Sequence, residues 1–241
     1  MALKEVIYRD SRFRISYDIL NPNVNQTLLV LHGWGSNKEI MQQAFSKYFS
    51  GYKHIYIDMP GFGRSSSDMI LTTNDYAMVV QNFLQALGET PHIVIGHSFG
   101  GKVATLLDPS CLVLISSAGI PTPKPFSVRL KIATVKFLKP LGMQKIRSLF
   151  VAPDAKNMSH EMYETFKNVV NEDFEAYFVR YKGKALLFWG KEDTATPLWT
   201  AKKINSIIRD STLYPLDGDH FFFLKHAEFI EEKILQECGA L

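Results

Sequence analysis

The stretch Gly96-His97-Ser98-Phe99-Gly100-Gly101 decides how the rest of the chain is read. It follows the apolar run His92-Ile93-Val94-Ile95 and opens a segment with helical periodicity from Gly100 to about Leu107. A G-x-S-x-G pattern occurs often by chance. Between a strand and a helix it acquires a physical meaning. The glycines let the backbone reverse so sharply that the serine is held at the tip in a strained conformation. Its hydroxyl then stands above the strand end, over the unpaired N–H groups that begin the helix. Ser98 is the candidate nucleophile, and the alternative is a tight turn with an idle serine.

Similar apolar runs recur on either side. They are Thr27–Leu31, His54–Ile57, Cys111–Ile115 and Ala185–Trp189, with Thr212–Leu216 as a sixth that carries Pro215. Continuous apolar runs of this length suit strands buried on both faces of a parallel sheet, and the proline places the sixth near a sheet edge. Helical patterns separate most of them, near residues 38–49, 74–87, 100–107, 197–208 and 224–237. Such alternation implies right-handed crossovers and a mostly parallel sheet with helices on both faces. Two weakly alternating segments, 5–10 and 14–20, precede this region as half-exposed strands, and a turn cluster at 21–25 follows them. From Ala118 to Lys182 no buried strand is visible. The segment opens on Pro121, Pro123 and Pro125 and continues helically, which is too long for a connection. The expected organisation is a core of residues 1–117 and 183–241 with a helical lid at 118–182 over the C-terminal edge of the sheet.

A serine hydroxyl is a weak nucleophile near neutral pH and needs a base that is itself oriented by a carboxylate. In a strand–turn–helix serine fold the chain order is serine, acid, histidine. Trp189-Gly190-Lys191-Glu192-Asp193-Thr194-Ala195-Thr196-Pro197 reads as strand end, turn, acid and helix start. Asp193 is the candidate acid, Glu192 its neighbour and competitor, and a helix-capping role the bland reading. Gly218-Asp219-His220-Phe221 lies on the loop after the last strand. Of seven histidines only His220 has both the order and the loop context.

An oxyanion needs two backbone donors. The N–H of Phe99 is one candidate. Trp34, in His32-Gly33-Trp34-Gly35 after the run at 27–31, offers the other N–H, and its ring reads equally well as a pocket wall. Gly33, His97 and Phe221 are expected to line the substrate pocket. Asp58, in Asp58-Met59-Pro60-Gly61-Phe62-Gly63-Arg64-Ser65, precedes the serine at a strand end, so it reads as structural, bonding nearby backbone or Arg64.

The composition is that of a folded protein with a sizeable core. Of 241 residues, 46% are hydrophobic and 21% charged, which rules out a disordered or fibrous chain. No CxxC or Cys/His cluster spacing exists, so a metal site of that kind is not expected. Cys111 reads as a small buried apolar residue and Cys238 as part of a last helical turn. The sequence leaves open a single bridge between them. Low cysteine usage suits a reducing compartment. With no signal pattern and no apolar stretch of ~18 residues, a cytoplasmic protein without a transmembrane segment is expected.

Taken together, the His32–Gly35 loop, the Asp58–Ser65 turn, the elbow at Ser98, the acid turn at Asp193 and the Gly218–His220 loop resemble the α/β-hydrolase superfamily over nearly the whole chain. The resemblance implies an α/β-hydrolase fold with a mostly parallel sheet of about eight strands and an inserted cap. It also implies a Ser98–His220–Asp193 triad and neither metal nor organic cofactor. Within the superfamily the chain is similar to small bacterial carboxylesterases, and to hydrolases that cleave a carbon–carbon bond in 2-hydroxy-6-oxo-dienoates. Its Ser98 sets it apart from the dehalogenases and epoxide hydrolases, which use an aspartate. A slow-turnover ligand sensor on the same fold is the reading from another class.

The net charge of +3 is unevenly spread. Seven Lys/Arg and no Asp/Glu fall between Pro109 and Pro153, leaving 20 positive against 24 negative residues elsewhere. A basic lid on a mildly acidic body does not suggest nucleic acid. It suggests either a solvated outer face or a surface that steers an anionic or carrier-bound acyl substrate.

Overall fold

The computed structural model describes residues 1–122 and 158–239. Within them the order of elements is β1 (Ala2–Tyr8), β2 (Ser11–Leu20), β3 (Thr27–Leu31), α1 (Lys38–Phe45), β4 (Lys53–Ile57), α2 (Thr73–Leu87), β5 (Ile93–His97), α3 (Phe99–Leu106) and β6 (Cys111–Ile115). They continue with α4 (His160–Val170), α5 (Glu175–Arg180), β7 (Lys184–Gly190), α6 (Leu198–Ile207), β8 (Ser211–Leu216) and α7 (Phe223–Cys238). The expected basic segment 124–147 lies outside the described residues.

The apolar runs are continuous because both of their faces are covered. Alternate residues of each central strand point to opposite layers. Leu29 and Leu31, Val94, Leu112 and Leu114, and Leu187 and Trp189 pack with α2, α3 and α6. Leu28 and Val30, Ile93 and Ile95, Val113 and Ile115, and Leu186 and Phe188 pack with α1 and α7 on the other face. The eight strands form one sheet in the order β1-β2-β4-β3-β5-β6-β7-β8. From β4 to β8 every pairing is parallel. The proline-bearing β8 is the edge, as its missing N–H requires.

The other end departs from the parallel pattern. β1 and β2 form an antiparallel hairpin from Ala2↔Tyr17 to Tyr8↔Ser11, and β2 pairs antiparallel with β4. The expected break near residues 10–14 is displaced to Arg9 and Asp10, whose φ values of 46° and 62° make a two-residue turn with both residues left-handed. Val169, Phe174 and Phe178, from and just after α4 and within α5, are buried against the α2/α3 layer.

Cys111 and Cys238 are joined in a disulfide that ties the start of β6 to the last turn of α7. Cys111 is thus a bonded residue as well as a buried one, and a bridge does not fit the reducing compartment expected from cysteine usage. Among the described residues no helix is long and apolar enough to cross a membrane.

Candidate active site

The elbow forms where β5 runs into α3. Ser98 has φ 53° and ψ −115°, a sparsely populated conformation that costs about 1–3 kcal/mol. Three backbone bonds clamp it: its N–H donates to Ile115 O at 3.0 Å, while its carbonyl accepts from Ala118 N at 3.0 Å and from Gly101 N at 3.1 Å. The flanking glycines are required by contact. A Cβ on Gly96 would sit 2.4 Å from Gly100 O, and one on Gly100 would sit 2.5 Å from His32 O. Phe99 is the first residue of α3, so its N–H has no intrahelical acceptor.

β7 delivers the acid turn. One oxygen of Asp193 accepts from Ala195 N at 2.8 Å and Thr196 N at 3.0 Å. The other accepts from the Thr196 hydroxyl at 2.8 Å and lies 2.8 Å from His220 Nδ1. The Trp189 indole N–H donates to Thr196 O at 2.7 Å and so pins the turn to the strand. Burial would raise the Asp193 carboxyl, but His220 beside it and these hydrogen bonds hold it below the usual carboxylate range. Glu192 turns away and accepts from Gly218 N instead. Of the two adjacent acids, the structure brings Asp193 to the imidazole.

His220 is fully buried on the loop that follows β8. With Nδ1 on Asp193, its Nε2 has no partner among the described residues, and neither has the buried Ser98 hydroxyl. The two are therefore not bonded to each other in this state, and such contacts often tighten only when substrate binds. The ring of His97, the residue before Ser98, lies 4.7 Å from that of His220. His97 Nε2 is 3.0 Å from the His220 carbonyl, which can only accept, so Nε2–H is the donor. Burial, with His220 adding to it, drives the His97 pKa well below its ordinary value and keeps the ring neutral.

Sequence reading placed Gly33, His97 and Phe221 on the pocket wall. Gly33 passes directly beside the serine, since a Cβ there would be 3.0 Å from His97 Nδ1 and 3.1 Å from Ser98 Cβ. The Phe221 ring contacts His97 at 5.4 Å and belongs to the α1/α7 layer. The Trp34 ring packs against Phe62, Phe99 and Phe166, with centroids 4.8, 5.5 and 5.4 Å away.

Asp58 is fully occupied by structure. Its carboxylate accepts from Lys38 N at 2.9 Å, Lys38 Nζ at 3.0 Å and Arg64 N at 3.1 Å. The expected Arg64 bond runs through its backbone N–H, and the buried Lys38 partner went unforeseen. Thr196 and Phe166 were also missed. The position of Thr196, three residues past the acid, was a readable signal for a capping bond; Phe166 carried none. Among the described residues no group of three or more His, Cys, Asp or Glu side chains is placed to hold a metal ion.

Residues 28–232 match the Alpha/beta hydrolase family. The chain belongs to this family. It is 27% identical to an uncharacterized hydrolase, YugF, of Bacillus subtilis (strain 168), over 89% of this chain and 90% of the relative. It is 24% identical to a 2-hydroxy-6-oxononadienedioate/2-hydroxy-6-oxononatrienedioate hydrolase of Burkholderia vietnamiensis (strain G4 / LMG 22486), over 96% of this chain and 93% of that one. A shorter match of 38% identity links 32% of the chain to 29% of a pimeloyl-[acyl-carrier protein] methyl ester esterase of Proteus mirabilis (strain HI4320). Among solved structures, an esterase from Exiguobacterium antarcticum superposes with a TM-score of 0.81 at 18% identity, covering 98% of this chain and 99% of that one.

Proposed function

We propose that the protein is a serine hydrolase that cleaves a carboxylic ester or thioester through an acyl-enzyme. The observation that carries this reading is the buried 2.8 Å contact between His220 Nδ1 and Asp193, one residue-contact away from a strained elbow serine. Asp193 keeps the proton on Nδ1, which leaves Nε2 as the base. Nε2 takes the Ser98 proton as Oγ bonds to the carbonyl carbon. The N–H groups of Trp34 and Phe99 stabilise the oxyanion. His220 returns the proton to the leaving alcohol or thiol as the bond to it breaks. Water then attacks the acyl-enzyme with His220 again as base, releasing the acid and Ser98.

The seven basic residues between 124 and 147 favour an acidic or carrier-bound acyl group at the lid, and the acyl-carrier-ester relative points the same way. A second reading, hydrolysis of a 2-hydroxy-6-oxo-dienoate, is favoured by the whole-length Burkholderia relative. The test is a fluorophosphonate label and a panel of p-nitrophenyl esters and thioesters, with a dienoate alongside. Ser98→Ala should lose both label and turnover. A purified Ser98→Ala protein that still hydrolyses the esters would overturn the assignment, and turnover of the dienoate alone would select the second reading.

A further inference from the structure

An ionised carboxylate donates nothing and offers four lone-pair positions, two on each oxygen. At Asp193 all four are taken. Oδ1 accepts from the N–H groups of Ala195 and Thr196 at 2.8 and 3.0 Å. Oδ2 accepts from the Thr196 hydroxyl at 2.8 Å and from His220 Nδ1 at 2.8 Å. The donors on Oδ1 are backbone groups, present whatever the side chains. On the oxygen that faces the imidazole, the donor beside His220 is a side chain, that of Thr196.

The hydroxyl is not what builds the turn. Thr196 is already fixed by its own N–H on Oδ1, and the buried Trp189 indole donates to its carbonyl at 2.7 Å. The hydroxyl carries one proton and lies between two groups that only accept, Asp193 Oδ2 at 2.8 Å and the Ser116 carbonyl at 3.1 Å. The charged acceptor at the shorter distance takes the proton, because bonds to an ionised oxygen are about twice as strong. The Ser116 contact fixes where the hydroxyl stands. Ile115, the residue before Ser116, accepts from Ser98 N at 3.0 Å. One short segment after β6 therefore touches the nucleophile on one side and this hydroxyl on the other. The hydroxyl is 3.5 Å from His220 Nδ1, so the two donors converge on one oxygen from neighbouring positions.

We infer that Thr196 is a positioning residue whose hydroxyl holds Asp193 Oδ2 in line with His220 Nδ1, and so holds the base at the elbow serine. Without it, Oδ2 would be held by His220 alone, and the pair would swing together about the two bonds on Oδ1. The inference rests on the serine-hydrolase reading above. It names a residue outside the triad that sets kcat without touching substrate.

Two substitutions separate hydroxyl from shape. Thr196→Val keeps the shape and loses the hydroxyl. Thr196→Ser keeps the hydroxyl and loses a methyl. The site is buried and valine fills the same volume, so water does not replace the missing donor. Misplacing a reacting group by about 1 Å can cost about 10²-fold. His220 keeps its own bond to Oδ2, so Thr196→Val should lose less, about 5–30-fold in kcat and in the rate of fluorophosphonate labelling, with KM changed less than about threefold. Thr196→Ser should stay within about threefold of the parent in kcat by the same argument, although the lost methyl lowers its melting temperature. The far-downfield proton resonance of the His220 Nδ1–H should move or broaden in Thr196→Val and stay in place in Thr196→Ser. A residue that only caps the turn would change melting and leave kcat and this resonance alone. Parent-like kcat in Thr196→Val, an unmoved resonance there, or equal impairment in Thr196→Ser each overturns the inference. Thr196→Ala is a second test should the valine variant not fold: it should show the same loss of kcat, and activity equal to that of Thr196→Ser overturns the inference too. Ser98→Ala assayed beside them keeps the two failures apart. If it retains label and turnover, the serine reading fails. If it is dead while Thr196→Val is fully active, only the positioning role fails.

Discussion

Lys102 lies one turn beyond the elbow on α3, and its side chain is 1% exposed. Its ammonium donates to Val169 O at 2.5 Å and Glu172 at 3.0 Å, and sits 5.6 Å and 5.2 Å over the rings of Phe99 and Phe174. It joins the helix that begins at the candidate nucleophile to the C-terminal end of α4. Burial lowers the Lys102 pKa, and the Glu172 carboxylate partly offsets that. Lys102→Met keeps the stem and its packing on the two rings but removes the charge. Breaking a buried pair by deleting one partner costs about 3–5 kcal/mol. Glu172 is a quarter exposed and keeps the Thr73 hydroxyl, so its stranded charge is partly relieved. Relief from burying the ammonium works in the same direction. The net expectation is about 3 kcal/mol for Lys102→Met and about 1 kcal/mol for Glu172→Gln. The double variant should cost no more than Lys102→Met alone, a coupling of about 1 kcal/mol or more. Urea unfolding at neutral pH measures all three. Lys102→Met within about 0.5 kcal/mol of the parent, or strict additivity in the double variant, would refute the claim that this pair docks α4 on the elbow helix.

Three further outcomes follow from the site and the disulfide. Asp193→Asn should cut kcat about 10³–10⁴-fold, since the amide no longer secures the Nδ1–H tautomer. The Asp193 carboxyl is held below its unfolded value, so its stabilisation is complete above the ordinary carboxylate range and disappears as pH falls through the folded value. The parent should therefore lose more stability on acidification below about pH 4 than Asp193→Asn does, and equal losses in urea titrations at both pH values would contradict this. The Cys111–Cys238 bridge spans 127 residues of sequence, for which chain entropy gives an upper value of about 5 kcal/mol. Cys238→Ser should melt roughly 10 °C lower. Two free thiols in the unfolded, unreduced parent would show that the bridge is not made.

Much of this architecture was legible because burial writes itself into the chain locally. Strands covered on both faces must be apolar at every position, which is why β3, β5, β6 and β7 read as unbroken runs. The β1–β2 hairpin was harder, because its half-exposed strands alternate only weakly and its turn uses Arg9 and Asp10 where glycine or asparagine would have announced it. The elbow was legible for a steric reason: a Cβ at Gly96 or Gly100 collides with backbone, so the spacing around Ser98 is dictated by contact.

By itself the sequence determined which residue types stand at the ends of which strands, and hence the order Ser98, Asp193, His220. It could not rank Glu192 against Asp193 by geometry, because neighbours in a turn differ only in where they point. It left the pairing of Cys111 with Cys238 open, since residues 127 apart become partners only when α7 folds back along β6. Nor did it show Lys38 on Asp58, Lys102 on Val169 and Glu172, or Thr196 on Ser116. Each of these joins segments that local pattern treats as independent. A buried polar group must find its partner wherever the fold brings one, and that partner is a property of the tertiary structure alone.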